Sequence, residues 1–513
     1  MGDLDGDKRE DFIVGGSAHE RATIFFQQKD GSFVGTPLEE KISEDMGVLL
    51  FDVDNDHDLD VYCVSGSTEF GKTSQHYQSR LYKNLSKGKF ILDAMALPQM
   101  ESSGSCVVAN DFDRDGDLDL FVGGRVSPFS YPLAPSSYVL QNNGSGKYSN
   151  ATKEIAPELE RIGMVTSALW TDFDNDGWTD LIVVGEFMPL TFFKNDQGKL
   201  NKYQPDGIRS EATVGWWNSI SGGDFDNDGD IDYVAGNLGL NSIYQASEAE
   251  PVCVYAKDYD QTGSIDPVLC RYIAGKEYPA HYRESMTDQM TGLRRKLTRY
   301  ELYGRMTFRN IFDEEATRDA MIYKATNFAS VYIENRGRGK FTIKSLPKAA
   351  QFAPIFGTQV VDFDLDGNLD LIAVGNDHSP DPLTGQLDGS IGTVLKGDGS
   401  GNFESLSLAQ TGFLVRGDAK AFASIVLSNK MLLLVSQNKD SLKAFEGLKH
   451  TEFISLNPYD AWCETNFKNG KKQKTEFYIG SGYLSQSSRL IPRDGNVKKI
   501  EIMDSRGQKR IVQ

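Results

Sequence analysis

Asp172-Phe-Asp174-Asn-Asp176-Gly177-Trp-Thr-Asp180 runs directly into Leu181-Ile-Val-Val-Gly185. Four carboxylates within nine residues repel one another strongly unless a cation sits among them. Gly177, at the sixth position, permits a tight turn because glycine tolerates positive φ. The apolar run behind it has the length and composition of a buried strand. The phrase recurs along the chain. It reads Asp3, Asp5, Asp7, Asp11, then Asp52, Asp54, Asp56, Asp60, and then Asp111, Asp113, Asp115, Asp119. After the copy at Asp172 come Asp224, Asp226, Asp228, Asp232, then Asp258, Asp260, Thr262, Asp266, and last Asp362, Asp364, Asp366, Asp370. Asp, Asn and Gly are also ordinary turn formers, but seven copies in one phase exceed what turns require.

Carboxylates at positions 1, 3, 5 and 9 converge when such a loop curls, and oxygen-rich, forgiving coordination suits Ca²⁺. Mg²⁺ prefers a stricter octahedron with several waters. The helical EF-hand loop opens in the same way but needs Glu at position 12. Here that position holds Val183, Ala235 or Ala373, and a strand-type run follows. The expected cofactor is therefore calcium, as several ions in strand-flanked loops. Lys8 and His57 replace the sixth-position glycine in the first two loops, which predicts looser turns there. Thr262 offers a neutral oxygen and predicts weaker binding in the sixth.

A second phrase is locked to the first. It reads Leu81-Tyr-Lys-Asn84-Leu-Ser-Lys-Gly88-Lys-Phe90 and recurs around Asn142, Asn335 and Gly397. Asn and Gly between extended runs are hairpin chemistry. Each unit is thus a lead-in strand, an Asp loop, an apolar strand and a hairpin. The first five loops start 49 to 61 residues apart, the period of a four-stranded propeller blade. The fold expected is mainly β: a seven-bladed β-propeller, eight blades being the alternative, with a helical insertion and a small C-terminal β domain. Domains are expected at 1–448 and 449–513. The insertion, about 283–315, shows Met290, Leu293, Leu297, Tyr300 and Met306 at helical spacing, with Thr287 and Asp288 as caps. Its arginines read as a solvated face, or else as a basic contact site. Strands at 421–427 and 431–436 lack an Asp loop and would close the ring.

The net charge of −19 comes from 54 basic and 73 acidic residues. About seven divalent cations would supply roughly +14 of offset, so the acidity is read as a metal-binding signature. It argues against nucleic-acid partners, which need a positive footprint. The five cysteines have no CxxC spacing. No run approaches a membrane span, so membrane attachment would need an anchor outside this chain. The first Asp loop has no strand leading into it, so an N-terminally truncated chain is expected, its signal region missing. Weak multi-site calcium loops suit millimolar extracellular calcium, which predicts an exported, extracellular or cell-surface protein.

The repeats resemble FG-GAP/VCBS repeats, as in the integrin α propeller. The stretch Glu476-Phe-Tyr-Ile-Gly-Ser-Gly-Tyr483-Leu-Ser-Gln486-Ser-Ser488 resembles the ASPIC/UnbV domain. Gly215-Trp-Trp-Asn218 and Asn237-Leu-Gly-Leu-Asn241 resemble bacterial members with this domain order. The chain departs from the family pattern at Leu490-Ile-Pro-Arg-Asp-Gly495 and at Met503-Asp-Ser-Arg-Gly507. The resemblance implies a secreted or surface-anchored protein linked to polysaccharide uptake or adhesion.

Two function classes follow. The first is a non-catalytic adhesion or binding module for a glycan or protein ligand, its loops presented on a rigid scaffold. Trp216, Trp217 and Asn218 could stack and hydrogen-bond sugar, or simply pack at a blade junction. Asn376, Asp377 and His378 form the other polar cluster outside the repeats. The second class is a polysaccharide lyase or hydrolase built on the propeller. The carboxylates are committed to the loops, the histidines are scattered, and no nucleophile elbow or phosphate loop is present, so no catalytic residue is assigned. Arg416-Gly-Asp418 matches an integrin-ligand tripeptide, but it falls where other units have loop and strand.

Overall fold

The computed structural model describes residues 1–39, 43–72, 74–381, 384–427, 430–447 and 452–512. The chain is mainly β, built from antiparallel sheets. Sheet A comprises Phe12–Val14, Thr23–Gln27 and Phe33–Pro37. Sheet B comprises Glu44–Phe51, Asp60–Gly66, Arg80–Asn84 and Phe90–Leu92. Sheet C begins with Ser103–Asn110, sheet D with Met164–Thr171, sheet E with Ser219–Gly223 and sheet F with Ile355–Val361. Sheet G comprises Ala419–Leu427, Lys430–Gln437 and Asp440–Glu446. In sheets B to F an Asp loop joins the first strand to the second, which is buried in each, as the unbroken apolar runs predict.

Each opening strand contacts that of the following sheet, from B through to G. Leu4 and Ile24 of the first repeat cluster with Leu50 and Val61 of sheet B. At the other end of the chain, Ile425 and Leu434 of sheet G pack on Phe12 of sheet A. Gln27 Nε2 donates to Val426 O across that junction at 3.4 Å.

The hairpin asparagines join adjacent sheets. Asn84 Nδ2 donates to Leu4 O, Asn142 Nδ2 to Val53 O, Asn195 Nδ2 to Phe112 O and Asn335 Nδ2 to Phe173 O, all at 2.8–2.9 Å. Each acceptor is the second residue of the preceding sheet's Asp loop. A second bond from the same amide reaches the eighth residue of the sheet's own loop. The spacing suggests hairpin formers, but the side chain ties neighbouring sheets together. Gly397 takes this place in sheet F, where a Cβ would meet Leu369 O at 2.1 Å.

The helical region is larger and more broken than its periodicity implies. Everything between Asp232–Gly236 and Val331–Asn335 of sheet E is inserted. It includes a four-stranded sheet opening with Val252–Lys257 and Asp266–Ile273, and the sixth Asp loop lies between those strands. That loop therefore belongs to the insertion and not to a repeat of the main series. The expected single helix is four short pieces, Arg283–Gln289, Thr291–Arg295, Tyr300–Tyr303 and Phe308–Ile311. Thr287 is buried inside the first piece and does not cap it. Gly304 ends the third piece and Gly292 sits in the short second one, and glycine is costly in a helix interior. All five cysteines are buried and no disulfide joins any of them among the described residues, with Cys253 opposite Cys270 in the inserted sheet. No helix among the described residues is long and apolar enough to cross a membrane.

The expected boundary near 448/449 lies outside the described residues. Beyond it, Asp460–Phe467, Lys472–Glu476, Val497–Asp504 and Lys509–Val512 form one sheet, and Glu452–Ser455 pairs with Leu490–Arg493. The intervening segment threads among the opening strands. Ala109 N–H donates to Ile479 O at 2.9 Å. Gln486 makes two bonds to the Leu50 backbone, at 2.7 and 2.9 Å. Glu476 accepts from Thr171 and from Asp172 N–H, and Tyr483 meets Phe356 edge-on. Ser487 and Ser488 bond Gln359 and Ser424.

Replacing Asn195 with Ala leaves the buried Phe112 and part-buried Thr179 carbonyls without their donor. The expected loss is about 2–4 kcal/mol, read as a lower denaturation midpoint at unchanged m-value.

Candidate metal centres

Every Asp loop curls through left-handed backbone at its fourth and sixth residues. The sixth-position φ is 68° at Lys8, 73° at His57 and 82–98° at the five glycines from Gly116 to Gly367. The first two loops are therefore not looser. Lys8 N–H reaches Asp3 at 2.8 Å and His57 N–H reaches Asp52 at 2.9 Å, matching Gly177 N–H on Asp172 at 2.9 Å. The price is an L-residue in αL, about 1 kcal/mol each.

The curl brings carboxylates together. Oxygens of Asp3, Asp5 and Asp11 lie within 4.8 Å of one another, as do those of Asp52, Asp54 and Asp60. The same holds for Asp111, Asp113 and Asp115, for Asp172, Asp174 and Asp180, and for Asp224, Asp226 and Asp228. These clusters could hold metal ions. The fifth-position residues Asp7, Asp56, Asp176 and Asp366 bind loop amides or cations of the chain. In the sixth loop, Asp258 accepts from Thr262 N–H and Gly263 N–H, and Asp266 from Tyr259 N–H.

The ninth-position Asp is the most deeply set. One oxygen of Asp180 takes Asn195 N–H at 2.7 Å and the other takes Phe173 N–H at 3.2 Å. Asp11, Asp60, Asp232 and Asp370 repeat the arrangement. Burial, reinforced by the neighbouring carboxylates, raises Asp119 and Asp180 to about 9 and Asp232 to about 8. Asp60 and Asp370 rise to about 7 and Asp11 to about 6, again chiefly through burial.

Donors of the chain do not satisfy these oxygens. Asp54 Oδ1, Asp119 Oδ2, Asp224 Oδ1 and Asp260 Oδ1 are buried with no hydrogen-bond partner among the described residues. Buried acceptors without donors are costly, and a cation among them removes that cost. The donor set, all hard oxygens, suits such an ion. Lysines also reach in. Lys83 pairs with Asp54 at 2.9 Å, Lys194 with Asp174 and Asp176, and Lys396 with Asp364 and Asp366. Sequence reasoning missed these lysines, although each directly precedes the hairpin Asn or Gly.

The C-terminal sheets lie over this loop face. Lys474 N–H donates to Asp224 at 2.8 Å, and Tyr459 Oη reaches Gly116 O at 2.8 Å. Lys471 reaches Gly367 O at 2.5 Å, and Gln473 reaches Asn227 at 3.2 Å.

The residues singled out elsewhere divide. Trp216, Asn218 and Asp377 border a cavity of about 580 Å³ at the opposite ends of the strands. Trp217 also borders it, but its ring is wholly buried and its Nε1 donates to Thr213 O at 2.9 Å. Trp217 is a core residue and no stacking platform. Asn376 is buried and spends its amide on Ser390, Arg416 and Gly417 carbonyls. His378 does not border the cavity, and its Nε2 is buried without a partner among the described residues. Asp418 is buried and paired with Lys420 at 2.9 Å, so the Arg-Gly-Asp tripeptide is not displayed.

The sequence model of the FG-GAP-like repeat matches residues 3–63 and 172–235, so the chain carries such repeats. Over 192 residues it is 29% identical to cartilage acidic protein 1 of Mus musculus, covering 35% of this chain and 28% of that protein. The Xenopus tropicalis protein of the same name is 30% identical, with the same coverage. The match thus spans little more than a quarter of those relatives' length. Among solved structures, the V. cholerae biofilm matrix protein Bap1 aligns over 87% of this chain and 86% of that chain, with a TM-score of 0.31 and 11% identity. An exo-beta-1,3-galactanase from Phanerochaete chrysosporium aligns over 96% and 100%, with a TM-score of 0.27 and 9% identity. Likenesses of that size carry no functional argument.

Two outcomes follow from the loops. Without divalent cation, the folded chain holds protons on Asp119 and Asp180 up to about pH 9, whereas an unfolded Asp ionises near 3.8. This contribution is full below about pH 4 and lost as pH rises to about 9. Melting in EDTA should fall between pH 5 and 9, and saturating Ca²⁺ should flatten the profile. Trp178 is the one tryptophan inside an Asp loop, so it should sensitise Tb³⁺ luminescence in the fourth. Lys194→Met should tighten Tb³⁺ there a few-fold, on the order of 0.5–1 kcal/mol, by removing a competing ammonium.

Proposed function

We propose that this chain is a calcium-braced, seven-bladed β-propeller that acts as a non-catalytic binding module outside the cell. Sheets A to G are its blades, and the C-terminal sheets are an ASPIC/UnbV-like unit seated on the loop face. The observation that carries the reading is the set of buried oxygens at Asp54, Asp119, Asp224 and Asp260 that have no hydrogen-bond partner among the described residues. They support the reading of the loops as cation sites in the scaffold. In each main-series loop the first, third, fifth and ninth Asp hold the ion, and the hairpin asparagines carry its bracing effect into the next blade. The ion supplies charge compensation and rigidity.

With the regular carboxylates given to bracing, ligand recognition falls to residues that do not repeat. Loops on a rigid frame suit that task. Glycan or protein ligands of a cell surface or matrix fit an exported, strongly acidic scaffold, and the relatives' own name places them in cartilage. FG-GAP-like repeats are compatible with such a role.

Thermal melts and solid-phase binding test the reading together. Chelation should lower Tm and added Ca²⁺ restore it, each site contributing about 2.7 kcal/mol at a hundredfold excess over its Kd. Retention on immobilised polysaccharides or matrix proteins should require calcium. An unchanged melt after thorough chelation would remove calcium from the scheme. Soluble products released from the polysaccharide would overturn the non-catalytic assignment in favour of a lyase or hydrolase.

A further inference from the structure

The cavity of about 580 Å³ opposite the metal loops gathers side chains from several sheets. Arg125, at the end of a strand of sheet C, pairs with Glu186 of sheet D at 2.5 Å, and Tyr131 Oη donates to the other Glu186 oxygen at 2.7 Å. Lys420 of sheet G pairs with the buried Asp418 at 2.9 Å, donates to Asn376 O at 3.2 Å and lies 3.5 Å from Asp377, just beyond the second strand of sheet F. The same ammonium sits 3.6 Å above the Phe356 ring, which Tyr483 of the threading segment meets edge-on. Trp216 forms part of the wall, packed against Phe187, Tyr244 and Phe328. Its Nε1–H is buried and has no acceptor among the described residues.

We propose that this cavity binds a neutral pyranose, the end group of a glycan chain. The inference rests on the binding-module reading and adds the site and ligand class to it. The first reason is the pairing of charges. Arg125 stands beside Glu186, and Lys420, anchored by Asp418, stands beside Asp377, so each cation is offset by a carboxylate and an acceptor lies next to each. A sugar hydroxyl both donates and accepts, and so can bridge either pair by charge-assisted bonds. A purely anionic ligand would face Glu186, Asp377 and Asp381, and a purely cationic one would face Arg125 and Lys420. The second reason is the apolar wall of Trp216, Phe356 and Tyr483. Mostly apolar, aromatic linings with a few placed polar groups characterise small-molecule sites of this volume. The third is the Trp216 indole donor, whose burial without an acceptor calls for a ligand oxygen or a water. None of these residues is a carboxylate of the Asp loops, so the site is spatially separate from the metal centres.

Calorimetry on the full chain in calcium tests the assignment with methyl glycosides of galactose, glucose and mannose, and with glucuronate and choline as charged probes. At least one neutral glycoside should bind, with a Kd of roughly millimolar order, and should shift tryptophan emission. Glu186→Gln and Asp377→Asn should each weaken that binding by about tenfold or more while Tm stays within a few degrees. Trp216→Phe keeps the aromatic face, loses the indole donor and should weaken binding less. Absence of binding by all three neutral glycosides, preference for glucuronate or choline, or binding that survives both carboxyl substitutions overturns the proposal. Retention of the chain on immobilised polysaccharide, if it persists in both variants, leaves the binding-module reading standing and removes this cavity from it.

Discussion

Like charge confined to a tight turn is the constraint on which this structure depends. Each loop packs carboxylates into nine residues and then buries its last one. The backbone answers with amide donors from within the loop and from the third strand of the same sheet. That answer is incomplete, since Asp119 Oδ2 and Asp224 Oδ1 stay buried without donors among the described residues. Lysines supply part of the missing positive charge at the second, fourth and seventh loops. A cation of the proposed kind would complete it. The same loops offer their second-residue carbonyls to the asparagines of the next sheet. Loop geometry and sheet-to-sheet order are therefore one problem, solved by one set of bonds.

The threading segment solves a second problem. Opening strands that converge leave backbone and small side chains facing one another across a gap. Residues 476–488 fill it, and their glycines allow the approach: a Cβ at Gly480, where φ is +84°, would meet Val107 O at 2.7 Å. Gln486 completes both backbone groups of Leu50. The phrase that looked like a family marker in the sequence is thus a set of contacts with the opening strands. Tyr483 at its bend is also part of the cavity wall, which links this packing to the proposed binding site.

Much of the repeat was legible because its physics is local. An Asp loop, an apolar strand and an Asn-Gly hairpin each depend on residues close in sequence, and the period exposes their number. The broken helices at 283–311 were less legible, because five apolar positions at helical spacing say nothing of the glycines' local cost or of the sheet they pack against. The sixth loop misled for a related reason. Its local pattern is intact, but it sits in an inserted sheet that the period alone does not separate from the main series.

The loops, their chemistry and the alternation of strand and turn are written in the sequence, since these follow from side chains a few residues apart. What the hairpin asparagines bind in the preceding sheet emerges with the tertiary structure, because those acceptors lie 80 to 162 residues away. The tertiary structure also separated the tryptophans, burying Trp217 in the core and leaving Trp216 on a cavity wall. Adjacent residues on a strand point to opposite faces, and which face meets solvent is set by the neighbouring sheets. For the same reason Arg125, Glu186, Asp377 and Lys420, scattered through the chain and unremarkable in it, meet at one mouth.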